Sequence, residues 1–226
     1  MQPEAYLFDM DGLLLDTERL YVGLGVEVTT RYGVPKRMSE QFFVGLVGSS
    51  AHHANACLSE FLPAHLSVSA FLKEWDALVD ARISDQAPLR PTVRATLDAL
   101  TDVGARMAVV TSTRSARARH HLELARLAHY FEAVLGGDEV SANKPDPAPY
   151  LEAAARLGLP AHRCAAFEDS DRGIASAVAA GCFAVQVPDL RAANTPLPDL
   201  GQLTATTLAE GVEKVQGTAI GHALDA

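Results

Sequence analysis

The 226-residue chain has little cysteine, few aromatic residues and a deficit of cations, and each shortage excludes something. Cys57, Cys164 and Cys182 are odd in number, far apart and without metal-type pairing. A disulfide scaffold is therefore not expected, and a reducing cytoplasmic setting is. Aromatic content of 6% beside 48% hydrophobic residues fits a helix-rich α/β protein rather than an all-β one. Lysine and arginine number 19 against 28 acids, a formal charge of −9. That balance argues against a nucleic-acid partner, whose surface asks for a basic stripe. Any anionic substrate must then be met by a local concentration of cations. The longest uncharged stretch, Gly173 to Pro188, is broken by Gly181 and falls short of the ~20 residues of a membrane span. The amino terminus carries Glu4 and no basic residue before a short apolar run, unlike a secretory signal. A soluble protein with no membrane partner, no internal repeat and no low-complexity tract is expected, long enough for one large domain or two small ones.

What stands out is the opening stretch Tyr6-Leu7-Phe8-Asp9-Met10-Asp11-Gly12, an apolar run that ends abruptly in two carboxylates. Residues i and i+2 of an extended segment point to one side, so Asp9 and Asp11 are expected to project together from a strand end, with Gly12 turning the chain. Two carboxylates held this close repel unless a cation or shared proton intervenes, which points to a hard metal such as Mg²⁺. The plain alternative is a strand end with solvated aspartates.

Ala5 to Phe8 reads as the first strand, and from about Asp16 to Pro88 the pattern turns helical, with segments near 17 to 32, 39 to 46, 50 to 61 and 67 to 84. After Pro88 and Pro91 the chain alternates. A helix from Thr92 to Val103 precedes strand Met107 to Val110, and one around Ser115 to Leu127 precedes Ala133 to Leu135. A helix from Pro147 to Leu157 precedes Cys164 to Phe167, and one around Gly173 to Ala180 precedes Phe183 to Val187. The tail carries a helix near Thr207 to Gln216. Short apolar strands alternating with helices predict an α/β fold, a doubly wound parallel sheet covered on both faces. The helical block reads as a separate inserted domain, residues 16–88, in a core made of 1–15 and 89–226. Ligands in such sheets bind at the carboxyl ends of the strands.

Polar punctuation clusters at those ends. Asp9 and Asp11 follow the first strand, Thr111-Ser112-Thr113 the second, Asn143-Lys144-Pro145 precedes the helix at 147, and Glu168-Asp169-Ser170 follows the fourth. Hydroxyls and turn amides at a helix start hold phosphate, and a fixed lysine meets an anion. Singly, each has an ordinary reading as a cap, a surface turn or a favourable helix start. Together, in the order acid pair, hydroxyl, lysine, acid pair, they are much less ordinary.

Over nearly its whole length the sequence resembles the haloacid dehalogenase superfamily, in the subgroup of small phosphatases and phosphoglucomutases with a helical cap. Asp9-Met10-Asp11-Gly12-Leu13-Leu14-Leu15-Asp16-Thr17-Glu18 is similar to the family's first motif, Thr111 to its second and Lys144-Pro145 to its third. Phe167-Glu168-Asp169-Ser170 with Gly173-Ile174 and Ala179-Ala180-Gly181 is similar to the fourth, and Gly136-Gly137-Asp138-Glu139-Val140 to a stretch common in the subgroup. The resemblance implies a Rossmann-like core under a mobile cap and a Mg²⁺-dependent phosphomonoester hydrolase for small sugar phosphates or phosphoglycolate-type acids. It implies Asp9 as nucleophile and Asp11 as acid and base. It implies Thr111, the Ser112 amide and Lys144 on the phosphoryl oxygens. Mg²⁺ would lie on the Asp9 carboxylate, the Asp11 carbonyl and Asp169, with Glu168 close by as a ligand or just behind one. A monomer is the subgroup's default.

An acid at position 11 favours phosphate esters over dehalogenation or phosphonate cleavage. A β-phosphoglucomutase-like isomerase shares all four motifs, but Tyr21 stands where such enzymes carry a histidine, and the turn Gly45 to Ser50 lacks their arginine. A catalytically idle binding protein is the non-enzymatic alternative. Gly136 to Val140 is also similar to a cyclic-dinucleotide synthase signature, a reading that needs a hairpin there. The adjacent pairs His52-His53 and His120-His121 splay about 100° apart on a helix and read as surface or half-buried residues, although His52 or His53 lining the cap pocket stays open. Arg114 is either a substrate contact or a solvated helix start, and Asp171 with Arg172 reads as an exposed helix-start pair.

Overall fold

The computed structural model describes residues 3–46, 51–85, 88–190 and 195–224. Six parallel strands form one sheet: β1 Ala5–Phe8, β2 Arg106–Val110, β3 Ala133–Leu135, β4 Cys164–Glu168, β5 Phe183–Gln186 and β6 Leu203–Thr204. Their order is β3-β2-β1-β4-β5-β6, so the first strand lies at the centre and the order reverses beside it. Phe8 stands level with Val109 on one neighbour and Phe167 on the other. The residues that follow those three positions are therefore delivered to the same end of the sheet.

Period-two alternation sorts the strand residues onto two apolar faces. Tyr6, Phe8, Val109, Phe167 and Val185 pack beneath Leu97 of α5 (Val93–Asp102), Leu122 of α6 (Ser115–Leu124) and Val212 of α9 (Leu208–Leu224). Leu7, Ala108, Val110 and Ala166 face Tyr150 and Ala153 of α7 (Ala148–Arg156) and Ile174 of α8 (Asp171–Ala179). Each large side chain buried this way contributes about 1.5–3 kcal/mol. The parallel sheet covered by helices on both sides is the α/β architecture expected from the alternating pattern.

Between β1 and α5 the described residues form four helices, α1 Thr17–Arg31, α2 Lys36–Leu46, α3 Ala51–Phe61 and α4 Val68–Asp85. They close on an apolar cluster of their own around Val28, Phe43, Leu58 and Phe71, with Trp75 packed against it. The two connections to the sheet run side by side. Asp16 N donates to Pro88 O at 2.6 Å, Arg90 N donates to Leu14 O at 3.1 Å, and Leu15 pairs with Leu89 as an isolated antiparallel bridge.

Several boundaries shift for local reasons. α2 begins at Lys36, three residues early, because Pro35 O accepts the N–H groups of Met38 and Ser39. α8 begins at Asp171, because Ser170 caps it by accepting the Gly173 N–H at 3.0 Å. α6 stops at Leu124, where the chain turns through Arg126 at φ 55°. α9 continues to Leu224, and the two-residue β6 is too short to show any periodicity. No hairpin forms at Gly136 to Val140, which removes the synthase reading. Among the described residues no helix is long and apolar enough to cross a membrane.

Candidate active site

The backbone leaves the sheet immediately after Asp9, whose N–H still donates to Phe167 O at 3.0 Å. Leu14 and Leu15 then donate to Met10 O, and Gly12 N to Leu15 O, closing a tight turn. Gly12 sits at φ +84°, and a Cβ there would stand 2.2 Å from Asp169 Oδ2, so the turn and the neighbouring acid fit only around glycine. Both carboxylates line the same cavity just beyond the strand end, and they have different partners.

Asp9 is buried, with Oδ1 2.5 Å from Lys144 Nζ. Lys144 is buried as well, and its ammonium also donates to Val110 O at 2.7 Å and meets Glu168 Oε1 at 2.6 Å. Glu168 is fully enclosed and accepts the Tyr150 hydroxyl at 2.5 Å. Asp11 is held by two hydroxyls, Thr17 on Oδ1 and Thr113 on Oδ2, each at 2.7 Å. Thr111 is buried at the end of β2 and its hydroxyl accepts the Thr113 N–H at 3.0 Å. Ser112 is exposed toward the same space.

The electrostatics are those of excess negative charge. Burial pushes the Asp9 carboxyl well above the usual carboxylate range; Lys144 opposes the rise, and Glu168 and Asp11 add to it. Burial likewise raises Asp169, reinforced by Asp9, Glu168 and Glu18. Burial alone would lower the Lys144 ammonium, yet the Asp9 and Glu168 carboxylates outweigh it and hold its pKa above normal. Asp9, Glu168 and Asp169 each offer a buried carboxylate oxygen, and these oxygens lie within 4.8 Å of one another. Three carboxylates against one ammonium leave a formal charge of −2. All-oxygen donors with that excess fit a hard divalent cation.

Above these groups lies a cavity of about 560 Å³. Asp9, Asp11, Thr111, Lys144, Asp169 and Arg172 line it from the sheet side, and Tyr21, Phe43, Leu58 and Trp75 from the helices. All seven residues singled out in the sequence, Asp9, Asp11, Thr111, Ser112, Lys144, Glu168 and Asp169, thus stand at one end of the sheet. Glu168 alone among them lies beneath the cavity rather than on its surface.

The other residues named from the sequence match that reading in part. Asp171 and Arg172 are exposed at the start of α8, as read from the sequence, yet both are engaged: the Arg172 guanidinium donates to Lys144 O at 2.5 Å and lines the cavity, and Asp171 accepts from Gln186 Nε2 at 2.9 Å. His121 is fully buried, with Nε2 3.0 Å from Asp80 Oδ1 across the contact between α6 and α4, whereas His120 is exposed. Arg114 is exposed and does not line the cavity. Val47 to Ser50 of the expected mutase-type turn, and the side chains of His52 and His53, lie outside the described residues. Gly136 packs where a Cβ would meet Ser115 N at 2.2 Å, and Asp138 Oδ1 accepts that N–H at 2.7 Å, bracing the loop that carries Thr111 to Thr113.

Sequence reasoning gave no role to Glu18 or Tyr150. Glu18 lines the cavity with Oε2 buried and unpartnered, and burial, then the charges of Asp189 and Asp11, push its carboxyl up to about 7. Tyr21, also on the cavity wall, has the Arg117 guanidinium 6.0 Å from its ring centre, and Arg117 pairs with Asp76 at 2.6 Å. These are meetings between distant segments and have no local signature.

A family model described as haloacid dehalogenase-like hydrolase matches residues 6–187. The chain is 36% identical over 183 residues to the fructose-1-phosphate phosphatase YqaB of Escherichia coli K12, covering 80% of this chain and 94% of that one. It is 33% identical over 178 residues to the phosphorylated carbohydrates phosphatase of Thermotoga maritima, covering 79% and 82%. The crystal structure of CbbY from Rhodobacter sphaeroides in complex with phosphate superposes with a TM-score of 0.73 at 25% identity, covering 92% of this chain and 96% of that one.

Proposed function

Since the chain belongs to the haloacid dehalogenase-like hydrolases, we propose that it is a Mg²⁺-dependent phosphomonoester hydrolase acting on a small phosphorylated metabolite through an aspartyl-phosphate on Asp9. The observation that carries this reading is the buried group Asp9, Lys144, Glu168 and Asp169 at the floor of the cavity, beside an Asp11 carboxyl held by two hydroxyls. Residues 1–15 and 89–226 form the catalytic core in this reading, and 16–88 form the cap over it. The names of the related phosphatases support a phosphorylated carbohydrate as the substrate.

In the first half-reaction Asp9 attacks phosphorus in line, the ester P–O bond breaks, and Asp11 delivers a proton to the departing alkoxide. In the second, water attacks phosphorus, Asp11 takes the water's proton, and the bond to Asp9 breaks to release phosphate. Both Asp11 oxygens accept hydroxyl hydrogens, the arrangement of a base. In the acid form one threonine hydroxyl turns to accept instead, as a hydroxyl is able to do. Thr111, the Ser112 N–H and Lys144 hold the phosphoryl oxygens as charge moves; losing one such donor costs roughly a hundredfold or more in rate. The Asp9 and Asp169 carboxylates and the Asp11 carbonyl would hold Mg²⁺, with Glu168 at the same centre. Bound there, the ion offsets repulsion between an anionic nucleophile and an anionic ester.

Phosphate release from a panel of phosphomonoesters, with and without Mg²⁺, tests the reading in wild type and Asp9→Asn. Metal-dependent release that falls about a thousandfold or more in the variant is expected. Undiminished release without metal or without Asp9 overturns the mechanism. Isomerisation of β-glucose 1-phosphate without net release points instead to the mutase.

A further inference from the structure

The cavity over Asp9 has two unlike halves. Its floor is charged, whereas the wall supplied by the helical block consists of Tyr21, Val22, Phe43, Leu46, Leu58 and Trp75, with Ala54. The only charged side chain that α1 to α4 add to the lining, among the described residues, is Glu18, and it is an acid. The indole N–H of Trp75 is already used, donating to Tyr21 O at 3.1 Å. The lining cations among the described residues belong to the floor. Lys144 is tied to two carboxylates and a carbonyl, and Arg172 donates to the Lys144 carbonyl. A second anion on the substrate would therefore be pressed against an apolar wall beside a carboxylate, with its hydration removed and no counter-charge supplied by the described residues of the helices. An apolar face, by contrast, would gain contact with Trp75, Phe43 and Leu58. A space of about 560 Å³ holds a phosphate and one ring-sized group.

We propose that this enzyme selects monophosphate esters of uncharged alcohols that present a continuous apolar face, such as deoxy-sugar, aryl or alkyl groups, and rejects esters whose leaving group carries a carboxylate or a second phosphate. The proposal rests on the phosphatase reading above and narrows its substrate. Discrimination of this kind comes as much from what the wall refuses as from what it binds. Leu46 and Trp75 are the specificity-determining positions: Leu46 is half-buried at the end of α2, and Trp75 spans the wall from α4.

The test measures kcat/KM of the full chain with Mg²⁺ on two pairs, phenyl phosphate and 2-deoxyglucose 6-phosphate against 2-phosphoglycolate and fructose 1,6-bisphosphate. The first pair is expected to exceed the second by about tenfold or more. Leu46→Lys places a cation on the wall, raises the anionic pair and lowers phenyl phosphate, narrowing the ratio about tenfold. Trp75→Leu, a variant that keeps the wall apolar, raises KM for phenyl phosphate more than for the anionic pair; melting curves establish that both variants fold. Equal or higher kcat/KM on the anionic pair overturns the proposal and directs attention to Arg172 as the receiver of the second anion. Ratios unchanged in both folded variants overturn the assignment of the wall. No release from any ester overturns the phosphatase reading itself, a flat result distinct from a reversed preference.

Discussion

Replacing Glu18 by glutamine is expected to stabilise the protein above neutral pH and to leave it unchanged in mild acid. The carboxyl is pushed up to about 7 from 4.5 by burial first, then by the charges of Asp189 and Asp11, while the Leu190 N–H and Arg19 oppose. The folded protein thus binds this proton more tightly than the unfolded chain does. The corresponding stability is complete below about pH 4.5 and is lost as pH rises toward and through 7. The difference amounts to roughly 3 kcal/mol at 1.36 kcal/mol per tenfold change, which partial solvent exposure reduces to about 2 kcal/mol. Glutamine keeps the shape and removes the charge. Melting temperatures of wild type and Glu18→Gln, measured from pH 4 to 8.5 with a chelator present, are expected to coincide at pH 4. They should diverge by about 4–8 °C at pH 8.5, the variant being higher. A pH-independent difference, or a less stable variant at pH 8.5, refutes the argument.

Gly12→Ala forces a Cβ into the space of Asp169 Oδ2 at a φ that alanine resists, and is expected to lower kcat about a hundredfold or more through displacement of that acid, with a loss of Mg²⁺ affinity seen by titration calorimetry. Tyr150→Phe removes a hydroxyl from the enclosed Glu168 carboxylate and is expected to destabilise the protein by about 1.5–3 kcal/mol in denaturant unfolding, with a modest fall in kcat/KM. Mg²⁺ at a hundred times its dissociation constant is expected to stabilise the folded chain by about 2.7 kcal/mol in thermal melts, and Asp169→Asn is expected to remove most of that gain.

The sequence alone was sufficient for the architecture, because β1 to β5 are predominantly apolar runs between helices of ordinary length and a parallel sheet is the arrangement that buries such strands on both faces. It was also sufficient to nominate Asp9, Asp11, Thr111, Ser112, Lys144, Glu168 and Asp169, since each directly ends or follows a strand, or is a lysine fixed beside a proline. The tertiary structure alone decided which partners those residues take. Asp9 and Asp11 are two residues apart, yet one meets Lys144 and the other two threonine hydroxyls. Glu168 and Asp169 are adjacent, yet one is locked under the cavity by Tyr150 and Lys144 while the other faces into it. Glu18, Tyr150 and Arg172 acquire their positions from partners that lie in other elements, and so carry no local pattern. Helical periodicity shows that Phe43, Leu58 and Trp75 are apolar, but whether an apolar side chain fills a core or faces a substrate depends on what the fold leaves unfilled beside it. That difference is set by packing between segments far apart in the chain, which a single sequence does not encode in any local spacing.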